Sequence, residues 1–372
     1  MNVKSLFNIL GALSTILGLT MVIPLLISLG SGQHDFQAFI KSSIICISLG
    51  LPCWFFTKNN KSITNRDGFA IVTFSWIITA IIGALPFYLS GVIPNITDAF
   101  FESMSGVTTT GASILGNVKT MPHLIEGIES LPNGILFWRS FLQWIGGMGV
   151  VVFYIAILPL LGVGGVQLFK AEVPGPVASK ITPRVRETAK LLWIVYVGFT
   201  LLQTIALLLA GVNLFDSICH SFTTIATGGF STKNASIGYF ESPLIQYTII
   251  LFMFISATNF TLTYFAIKLN FKKVFRNEEF RIYSSFIIII TLIVFGTLYL
   301  IDSSYAEETF RSALFSVVSI ITTTGFTTVD FTGWTEFITI LFFILMFFGA
   351  SAGSTSGGIK IVRHVILLKN SY

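Results

Sequence analysis

The sequence predicts an all-α polytopic membrane protein built from tandem span–pore loop–span repeats, and three observations lead to that prediction. Hydrophobic residues make up 53% of the 372 residues, and charged residues make up only 10%. A chain of this composition exposes too much apolar surface in water to form a soluble globule. Its apolar residues fall in long runs, and three short segments that end in Thr-Gly recur between those runs.

Eight apolar runs are long enough to cross a hydrocarbon core, which takes about 20 residues. They lie near residues 6–29, 38–56, 69–90, 135–161, 191–211, 244–267, 282–301 and 335–350. The basic residues support this count, because Lys and Arg stay on the cytoplasmic side. With a cytoplasmic N-terminus, most of the 22 basic residues fall in inner segments and most of the 17 acidic residues in outer ones. The net charge of +5 is therefore interpreted as an orientation signal and not as a nucleic-acid site.

Residues 1–66 hold two plain spans and form a predicted N-terminal appendage. The rest of the chain repeats one pattern three times, with predicted boundaries at 67–188, 189–280 and 281–372. Each repeat has a long span, a short segment that ends in Thr-Gly, an outer loop and a second span. The short segments reach only about 20 Å as helices, so each must return to its own side. Non-helical backbone at membrane depth is tolerated inside protein or around a water-filled cavity, so the three segments together predict a pore.

Four residues of each repeat, centred on Gly111, Gly228 and Gly325, form a predicted filter for a monovalent cation. Backbone carbonyls and threonine hydroxyls can replace the hydration shell of such an ion, and glycine permits the dihedrals that turn carbonyls inward. The short helices would also point their partly negative C-terminal ends at the ion. Small residues can alternatively line close helix contacts. The predicted filter residues are Thr109, Thr110, Gly111, Ala112, Ala226, Thr227, Gly228, Gly229, Thr323, Thr324, Gly325 and Phe326.

Two polar residues in the span after the first segment are predicted to support the filter. Arg139 and Gln143 are four residues apart, so they share one helix face and can hold the first loop from behind. Arg139 can alternatively extend to lipid headgroups or pair with an outer carboxylate. Asp98 and Glu102 are expected near the outer mouth, where they would attract cations.

A Gly-rich stretch at 349–358 interrupts the last span, and four glycines in ten residues cannot maintain a firm helix in lipid. It is predicted to lie across the cavity beneath the filter as a gate, followed by a positive charge; an ordinary kink or an interfacial turn is the alternative. Asn259 is a polar break in another apolar run and is expected to form a hydrogen bond between helices. The predicted gate residues are Gly349, Gly353, Ser354, Thr355, Gly357, Gly358 and Lys360.

Sequence motifs for enzymatic chemistry do not occur in the chain. The four histidines are scattered, and the three cysteines form neither a Cys-x-x-Cys pair nor a disulfide framework. No phosphate-binding Gly-x-x-x-x-Gly-Lys loop is present, so a partner would have to bind any regulatory nucleotide. We expect no enzyme activity, no cofactor and no metal except a transported ion at the filter.

Six motifs together resemble the TrkH branch of the Trk/Ktr/HKT potassium transporter superfamily. The resemblance covers essentially the whole chain, and the second and last motifs are the most specific. The motifs are the segments 108–113, Trp138-Arg-x-x-x-Gln-Trp-x-Gly-Gly-x-Gly149, 171–176, 182–190, 226–231 and Gly353-Ser-Thr-Ser-Gly-Gly-Ile-Lys360.

The resemblance implies K⁺ uptake across the bacterial inner membrane, as a symporter or a channel-like transporter, with the glycine of each filter segment linked to K⁺ preference. It also implies a homodimer in membrane lipid and a cytosolic nucleotide-binding regulatory subunit similar to TrkA. The family has four repeats, and three are expected here, with the fourth repeat absent. Two alternatives follow: a truncated, non-conducting chain or fragment that pairs with another chain, or a Na⁺-permeable cation transporter.

Overall fold

The computed structural model describes residues 2–57, 64–116, 127–149 and 185–370, and these are mostly helical. The chain separates into two compact units. The first unit is Met1–Val173 with Lys180–Trp193, and the second is Pro174–Ser179 with Ile194–Tyr372.

Six helices lie within the described part of the first unit, and a seventh begins there and continues into the second unit. A single 3₁₀ turn, Ile128–Ser130, precedes the sixth helix. The helices are α1 (Val3–Thr20), α2 (Val22–Gly30), α3 (Phe36–Phe56), α4 (Asn65–Leu89), α5 (Ile96–Val107), α6 (Asn133–Gly147) and α7 (Val185–Leu209).

Helices α1 and α3 of the N-terminal appendage pack closely because both carry glycine at the contact. A Cβ atom at Gly11 would lie 2.7 Å from the carbonyl oxygen of Gly50, and one at Gly50 would lie 2.6 Å from Thr15 Oγ1. Ser43 Oγ donates to the carbonyl oxygen of Gly18 at 2.8 Å. Small residues and hydroxyl groups are the usual means by which helices associate in a membrane.

The short helix α5 packs against both α4 and α6. Trp138 Nε1 of α6 donates to Gly83 O of α4 at 3.0 Å, and the indole is fully buried. A Cβ atom at Gly83 would overlap Ser103 Oγ of α5, and one at Gly146 would overlap the carbonyl oxygen of Val107 at the end of α5. Glycine at these two positions therefore lets the flanking helices approach the short helix and its C-terminus.

The described part of the second unit continues with eight further helices and one pair of two-residue parallel strands, in which Phe348 pairs with Ile359 and Gly349 with Lys360. Two 3₁₀ turns, Ser236–Tyr239 and Phe331–Gly333, lie in its loops. The helices and strands are α8 (Leu214–Ile225), α9 (Pro243–Ser256), α10 (Phe260–Ile267), α11 (Phe271–Arg276), α12 (Glu278–Ile301), α13 (Ala306–Ile321), α14 (Glu336–Leu345), β1 (Phe348–Gly349), β2 (Ile359–Lys360) and α15 (Ile361–Asn370).

The core of the second unit lies among α9, α12, α13 and α14. Met253, Tyr283, Phe315 and Phe342 contribute one large side chain each, and all four are completely buried. In a membrane such side chains stabilise the unit through close van der Waals packing, because lipid tails are as apolar as they are. The short helix α13 is thus fixed on several sides before its C-terminal loop begins.

Five helical segments among the described residues are long and apolar enough to cross a membrane. They are Val3–Gly30, Phe36–Phe56, Arg66–Leu89, Lys190–Leu209 and Glu278–Ile301. The predicted run at 244–267 is instead two helices, Pro243–Ser256 and Phe260–Ile267, bent by 112°.

The other two predicted spans differ from expectation or lie partly outside the described residues. The predicted run at 335–350, which the Gly-rich stretch was expected to interrupt, forms only the 10-residue helix α14, because the chain leaves helical form shortly before that stretch. The predicted span 135–161 begins as α6, and its part beyond residue 149 lies outside the described residues.

Candidate functional site

Three short helices, α5, α8 and α13, end in loops with the same unusual backbone. The residue two positions after each helix is a threonine in the left-handed region, with φ of 54° at Thr109, 50° at Thr227 and 57° at Thr323. A β-branched residue at positive φ is a genuine outlier, so its recurrence at one position marks a shared geometry. We name these segments the first, second and third Thr-Gly loops: residues 108–112, 226–230 and 322–326.

The three loops are closed by the same hydrogen bonds. In the first loop, the N–H groups of Thr108, Thr109 and Thr110 donate to carbonyl oxygens four, three and five residues earlier, at 2.8, 3.0 and 2.9 Å. The second loop repeats the three spacings from 226, 227 and 228, and the third from 322, 323 and 324. The last orphan carbonyls of each helix are satisfied in this way, while the chain turns away from the helix axis.

The dihedrals correct the position of the glycine in the second loop. Gly111 and Gly325 follow their left-handed threonines by two residues, with φ of 75° and 82°. The residue two positions after Thr227 is Gly229, with φ of 81°, so it and not Gly228 is the equivalent glycine. The prediction centred on Gly228 was therefore one residue early, because Thr-Gly was matched as a pair of letters.

In the first and third loops, the last residue is bound by a serine of the preceding helix. Ser105 Oγ donates to Ala112 O at 2.5 Å, and Ser319 Oγ donates to Phe326 O at 2.7 Å. These two carbonyl groups, both predicted to line the filter, thus make a hydrogen bond back to their own helix. The serine hydroxyls fix the path by which each loop leaves the turn.

A buried ion pair lies behind the first loop. Arg139 Nε of α6 lies 2.9 Å from Glu102 Oε1 of α5, and the two side chains are 2% and 0% exposed. Ser113 Oγ donates to Glu102, Ile114 N donates to Glu102 Oε2 at 3.0 Å, and Arg139 Nη2 donates to Ser113 Oγ at 3.0 Å. Glu102 was expected to attract cations near the outer mouth, whereas its carboxylate is fully buried and paired with Arg139. Gln143, one turn after Arg139, is also completely buried.

The second loop is supported by a histidine and an aspartate of α8. His220 Nε2 lies 3.0 Å from Ser231 Oγ, and Nδ1 lies 2.8 Å from the carbonyl oxygen of Asp216. Asp216 Oδ1 accepts from Thr232 Oγ1 at 2.6 Å, and Oδ2 lies 3.3 Å from Lys233 Nζ. Ser231, Thr232 and Lys233, which follow the second loop, are thus each bound to a residue of α8.

Counting from the left-handed threonine shows that these supports are equivalent. Seven residues before it, on the short helix, stand Glu102, His220 and Ser316. Four residues after it stand Ser113, Ser231 and Thr327, and in the first two loops the helix residue contacts the serine. Sequence reasoning missed this pair because it aligned the second repeat on Gly228, and the common spacing appears when the repeats are aligned on the left-handed threonine or, equally, on Gly229.

The second and third loops contact each other directly. A Cβ atom at Gly229 would overlap the carbonyl oxygen of Thr324, so the two backbones approach as closely as glycine permits. Beyond the loops, Gly238 N donates to Thr327 O at 3.0 Å. The structure therefore brings together the predicted filter residues of the second and third repeats, while Thr109–Ala112 belong to the first unit.

The Gly-rich loop, residues 349–358, contacts the third Thr-Gly loop and the end of α8, the helix that leads into the second. Gly357 N donates to Thr323 Oγ1, the hydroxyl of the left-handed threonine, at 2.6 Å. Thr355 Oγ1 lies 3.0 Å from the carbonyl oxygen of Ile225, the last residue of α8, and 3.2 Å from that of Ser256. The predicted gate residues thus lie against the C-terminal ends of two short helices.

The break at Asn259 accommodates this loop. Asn259 Oδ1 accepts from Thr261 N at 2.8 Å and so caps α10, in contrast to the expected bond between helices. Phe260 N donates to Gly353 O at 3.0 Å. A Cβ atom at Gly353 would lie 3.3 Å from Asn259 Nδ2. The break between α9 and α10 therefore lies where the two helices contact the Gly-rich loop.

Hydrogen bonds among nearby residues of the chain hold the C-terminal end of the Gly-rich loop. Lys360 Nζ donates to the carbonyl oxygen of Ser356 and lies 3.0 Å from Ser356 Oγ, and Lys360 is only 6% exposed. Ser354 Oγ lies 2.9 Å from Ser356 Oγ. The ammonium group predicted to follow the gate thus bonds to the loop that precedes it.

The five long apolar helical segments among the described residues define a polytopic membrane protein. A family model for TrkH, described as a cation transport protein, matches residues 35–372. The chain therefore belongs to the TrkH family of cation transport proteins. This membership makes it a transport protein rather than an enzyme.

Relatives and a solved structure match over nearly the whole chain. It is 43% identical to the Trk system potassium uptake protein TrkH of Vibrio parahaemolyticus over 376 residues, which is 99% of this chain and 75% of the relative. Identity to TrkG of Escherichia coli K12 is 35%, over 100% of this chain and 75% of that protein. The crystal structure of the potassium transporter TrkH from Vibrio parahaemolyticus matches with a TM-score of 0.84 and 39% identity, and the match covers 99% of this chain and 75% of that one.

Proposed function

We propose that this chain takes up K⁺ across the bacterial inner membrane through a filter to which the three Thr-Gly loops contribute. The observation that carries the proposal is the repetition of one left-handed turn, closed by one set of hydrogen bonds, after three short helices. Such a turn directs successive carbonyls away from the helix that precedes it, and carbonyl oxygens from several loops can replace the water around K⁺. The names of the relatives, potassium uptake proteins, support K⁺ as the transported ion.

Within each loop we assign ion coordination to the carbonyls that precede the left-handed glycine. The carbonyl groups of Ala112 and Phe326 are bound to serines of their own helices, which favours Thr109, Thr110, Thr323 and Thr324 for the first and third loops. The C-terminal ends of α5, α8 and α13 add partial negative charge that favours a cation.

We further propose that the Gly-rich loop is the gate of this pathway. It contacts Ile225 O and Thr323 Oγ1, at the ends of two short helices, so it lies where an ion leaving the filter would pass. Its four glycines give it the backbone freedom to move. Opening then requires that the bonds of Thr355 and Gly357 break.

The partners follow from the family and belong to the same proposal. The relatives are named as parts of a Trk system, which supports function within a complex. We propose that a second copy of the chain and a cytosolic nucleotide-binding subunit complete that complex. The chain itself has no phosphate-binding Gly-Lys motif, so control by a nucleotide would come through that subunit. We also propose that the N-terminus is cytoplasmic, on the basis of the basic residues between the spans.

The register of the second loop supplies the test. Gly229→Ser places a side chain at a φ of 81° and against Thr324 O, whereas Gly228 stands where the other loops carry Thr110 and Thr324. In bacteria that lack their own K⁺ uptake and express the complete gene, Gly229→Ser and Gly111→Ser should each lower the ratio of Rb⁺ to Na⁺ uptake at least about tenfold, the effect of about 1.4 kcal/mol of backbone strain at the site.

Gly228→Ser is the matched control: it keeps the backbone carbonyl of this position, where the other loops carry threonine, so uptake should stay within about twofold of that of the native protein. Membrane levels of each variant are measured by immunoblotting, so that loss of protein is not counted as loss of selectivity. Native Rb⁺ preference in Gly111→Ser and Gly229→Ser would contradict the filter assignment. Equal Rb⁺ and Na⁺ uptake by the unsubstituted protein would identify an unselective cation transporter.

A further inference from the structure

The Gly-rich loop has one anchor that the transport proposal does not use. Ala352 N, near the start of the loop, donates to Glu279 Oε1 at 2.6 Å. Glu279 stands in the first turn of α12, a long span that contributes no residue to the predicted filter or gate. A backbone N–H bound to a carboxylate belongs to the stronger class of hydrogen bonds, about twice the strength of a neutral pair.

The position of the bond between Ala352 N and Glu279 indicates its function. Through Thr355 and Gly357 the loop contacts the end of α8 and the third Thr-Gly loop, and through Ser351, Gly353 and Thr355 it also bonds to backbone groups at the bend between α9 and α10. Glu279 instead binds the loop from outside that site, and it interacts electrostatically with Lys360, which closes the other end of the loop. One carboxylate therefore acts on both ends of the segment that would have to move.

The neighbouring carboxylate provides a natural contrast. Glu278 lies on the same turn of α12, but its Oε1 pairs with Lys369 Nζ of α15 at 2.5 Å, and both side chains are more than half exposed. An exposed pair of this kind contributes about 0–1 kcal/mol. Both glutamates are negatively charged and lie in the first turn of α12, and Glu279 is the one of the two that contacts the Gly-rich loop.

We propose that Glu279 is a positioning residue that holds the Gly-rich loop against the third Thr-Gly loop and the C-terminal end of α8, in the conformation that blocks ion flow. The inference rests on the proposed gate. If the blocked conformation requires the bond between Glu279 and Ala352 N, weakening that bond shifts the loop toward the open conformation and increases flux in the absence of any partner.

Two variants separate the hydrogen bond from the charge. Glu279→Ala removes both, whereas Glu279→Gln keeps an oxygen that can accept from Ala352 N but removes the attraction for Lys360. In proteoliposomes that contain only the purified complete protein, Rb⁺ flux should rise about tenfold in Glu279→Ala and about threefold in Glu279→Gln. Glu278→Ala should stay within about twofold of the native flux.

A second readout reports the position of the loop itself. In a background that lacks Cys46, Cys53 and Cys219, Ala352→Cys keeps the backbone N–H and places a thiol on the loop. A water-soluble thiol reagent should modify this variant faster when Glu279→Ala is added, and at an unchanged rate when Glu278→Ala is added. Faster modification together with higher flux is not expected from a residue that only stabilises the fold.

Deletion of residues 352–355 separates the anchor from the gate. If the deletion raises flux but Glu279→Ala does not change it, the role of Glu279 is overturned and the proposed gate stands. If the deletion leaves flux unchanged, the gate itself is wrong, and the role of Glu279 is wrong with it. Lower flux and a lower melting temperature in both Glu279 variants, with slow thiol modification, would show a structural residue and overturn the proposal.

Discussion

The first and second Thr-Gly loops have the same backbone but are supported by different chemistry. Behind the first, a fully buried ion pair joins two helices, with Glu102 on α5 and Arg139 on α6. Behind the second, His220 and Asp216 of α8 bind the residues that follow the loop. The backbone of the turn is therefore compatible with more than one kind of support.

The two supports also differ in how far apart in the sequence their residues lie. The second loop is held by residues close in sequence, so it forms once α8 and the following residues meet. The first loop requires α6 to bring Arg139 to Glu102, 37 residues away in sequence. Since a buried charge without its partner is strongly unfavourable, the first loop should be the more sensitive of the two to loss of a single residue.

The largest effect is therefore expected from breaking the buried ion pair. Arg139→Met or Glu102→Gln should each lower the stability of the protein by about 3–5 kcal/mol, because each leaves one buried group without its partner. The double variant should be more stable than Arg139→Met alone, since neither charge then remains buried. Melting temperature in detergent, compared across the native protein and the three variants, measures the effect.

The second loop provides the control for this measurement. Lys233 pairs with Asp216 at 3.3 Å, and the lysine side chain is 18% exposed. Lys233→Met should cost clearly less than Arg139→Met, because the lysine is partly exposed and the buried Asp216 carboxylate keeps its hydrogen bonds from Thr232 and Asn213. Equal destabilisation by Lys233→Met and Arg139→Met would show that the two loops do not differ as described.

The sequence predicted the membrane class, five of the spans and the interruption near residue 346, because hydropathy and glycine content are local properties of the chain. It also placed Arg139 and Gln143 on one face of a helix, and it included pairing with a carboxylate among the alternatives for Arg139. The partner, Glu102, was missed because a glutamate in a segment near the outer side is expected in water. Its burial depends on packing between α5 and α6, which no local pattern records.

The error at Gly228 has a related cause. Two adjacent glycines at 228 and 229 are equivalent as letters, and only the φ of 81° at Gly229 distinguishes them. Glu279 was not considered as a functional residue, because it lies in a charged inner segment. The basic residues of that segment were already explained as a signal of membrane orientation. Its bond to Ala352 N joins residues 73 positions apart and is a property of the folded chain.

An intermediate effect is expected at the serines that follow the loops. Ser231 is 7% exposed, so Ser231→Ala leaves the fully buried Nε2 of His220 without this partner, at a cost of about 1–3 kcal/mol. Ser113 is exposed, so in Ser113→Ala a water molecule can replace the hydroxyl beside Glu102 and Arg139. Ser231→Ala should therefore lower both melting temperature and Rb⁺ uptake more than Ser113→Ala does. The reverse order would indicate that the hydroxyl of Ser113 is required by the ion pair itself.

The smallest effect is expected from the hydroxyl pairs of the first and third loops. Thr108 and Thr110 share a hydrogen bond of 2.8 Å, as do Thr322 and Thr324. The second loop has Ala226 and Gly228 at these positions and keeps the same closure, so the backbone does not depend on the hydroxyls. Thr324 is 1% exposed, so Thr324→Val should cost about 1 kcal/mol, while the exposed Thr110→Val should cost a few tenths.

Both valine variants should retain Rb⁺ uptake close to the native rate, because valine preserves the shape of threonine and the coordinating carbonyls belong to the backbone. Uptake and melting temperature are measured together on the same membrane preparations. If Thr324→Val lowered the ratio of Rb⁺ to Na⁺ uptake as much as Gly229→Ser does, without lowering the melting temperature, the hydroxyl group and not the carbonyl would contact the ion in the third loop. The three loops would then differ in the atoms that they present to the ion as well as in what supports them.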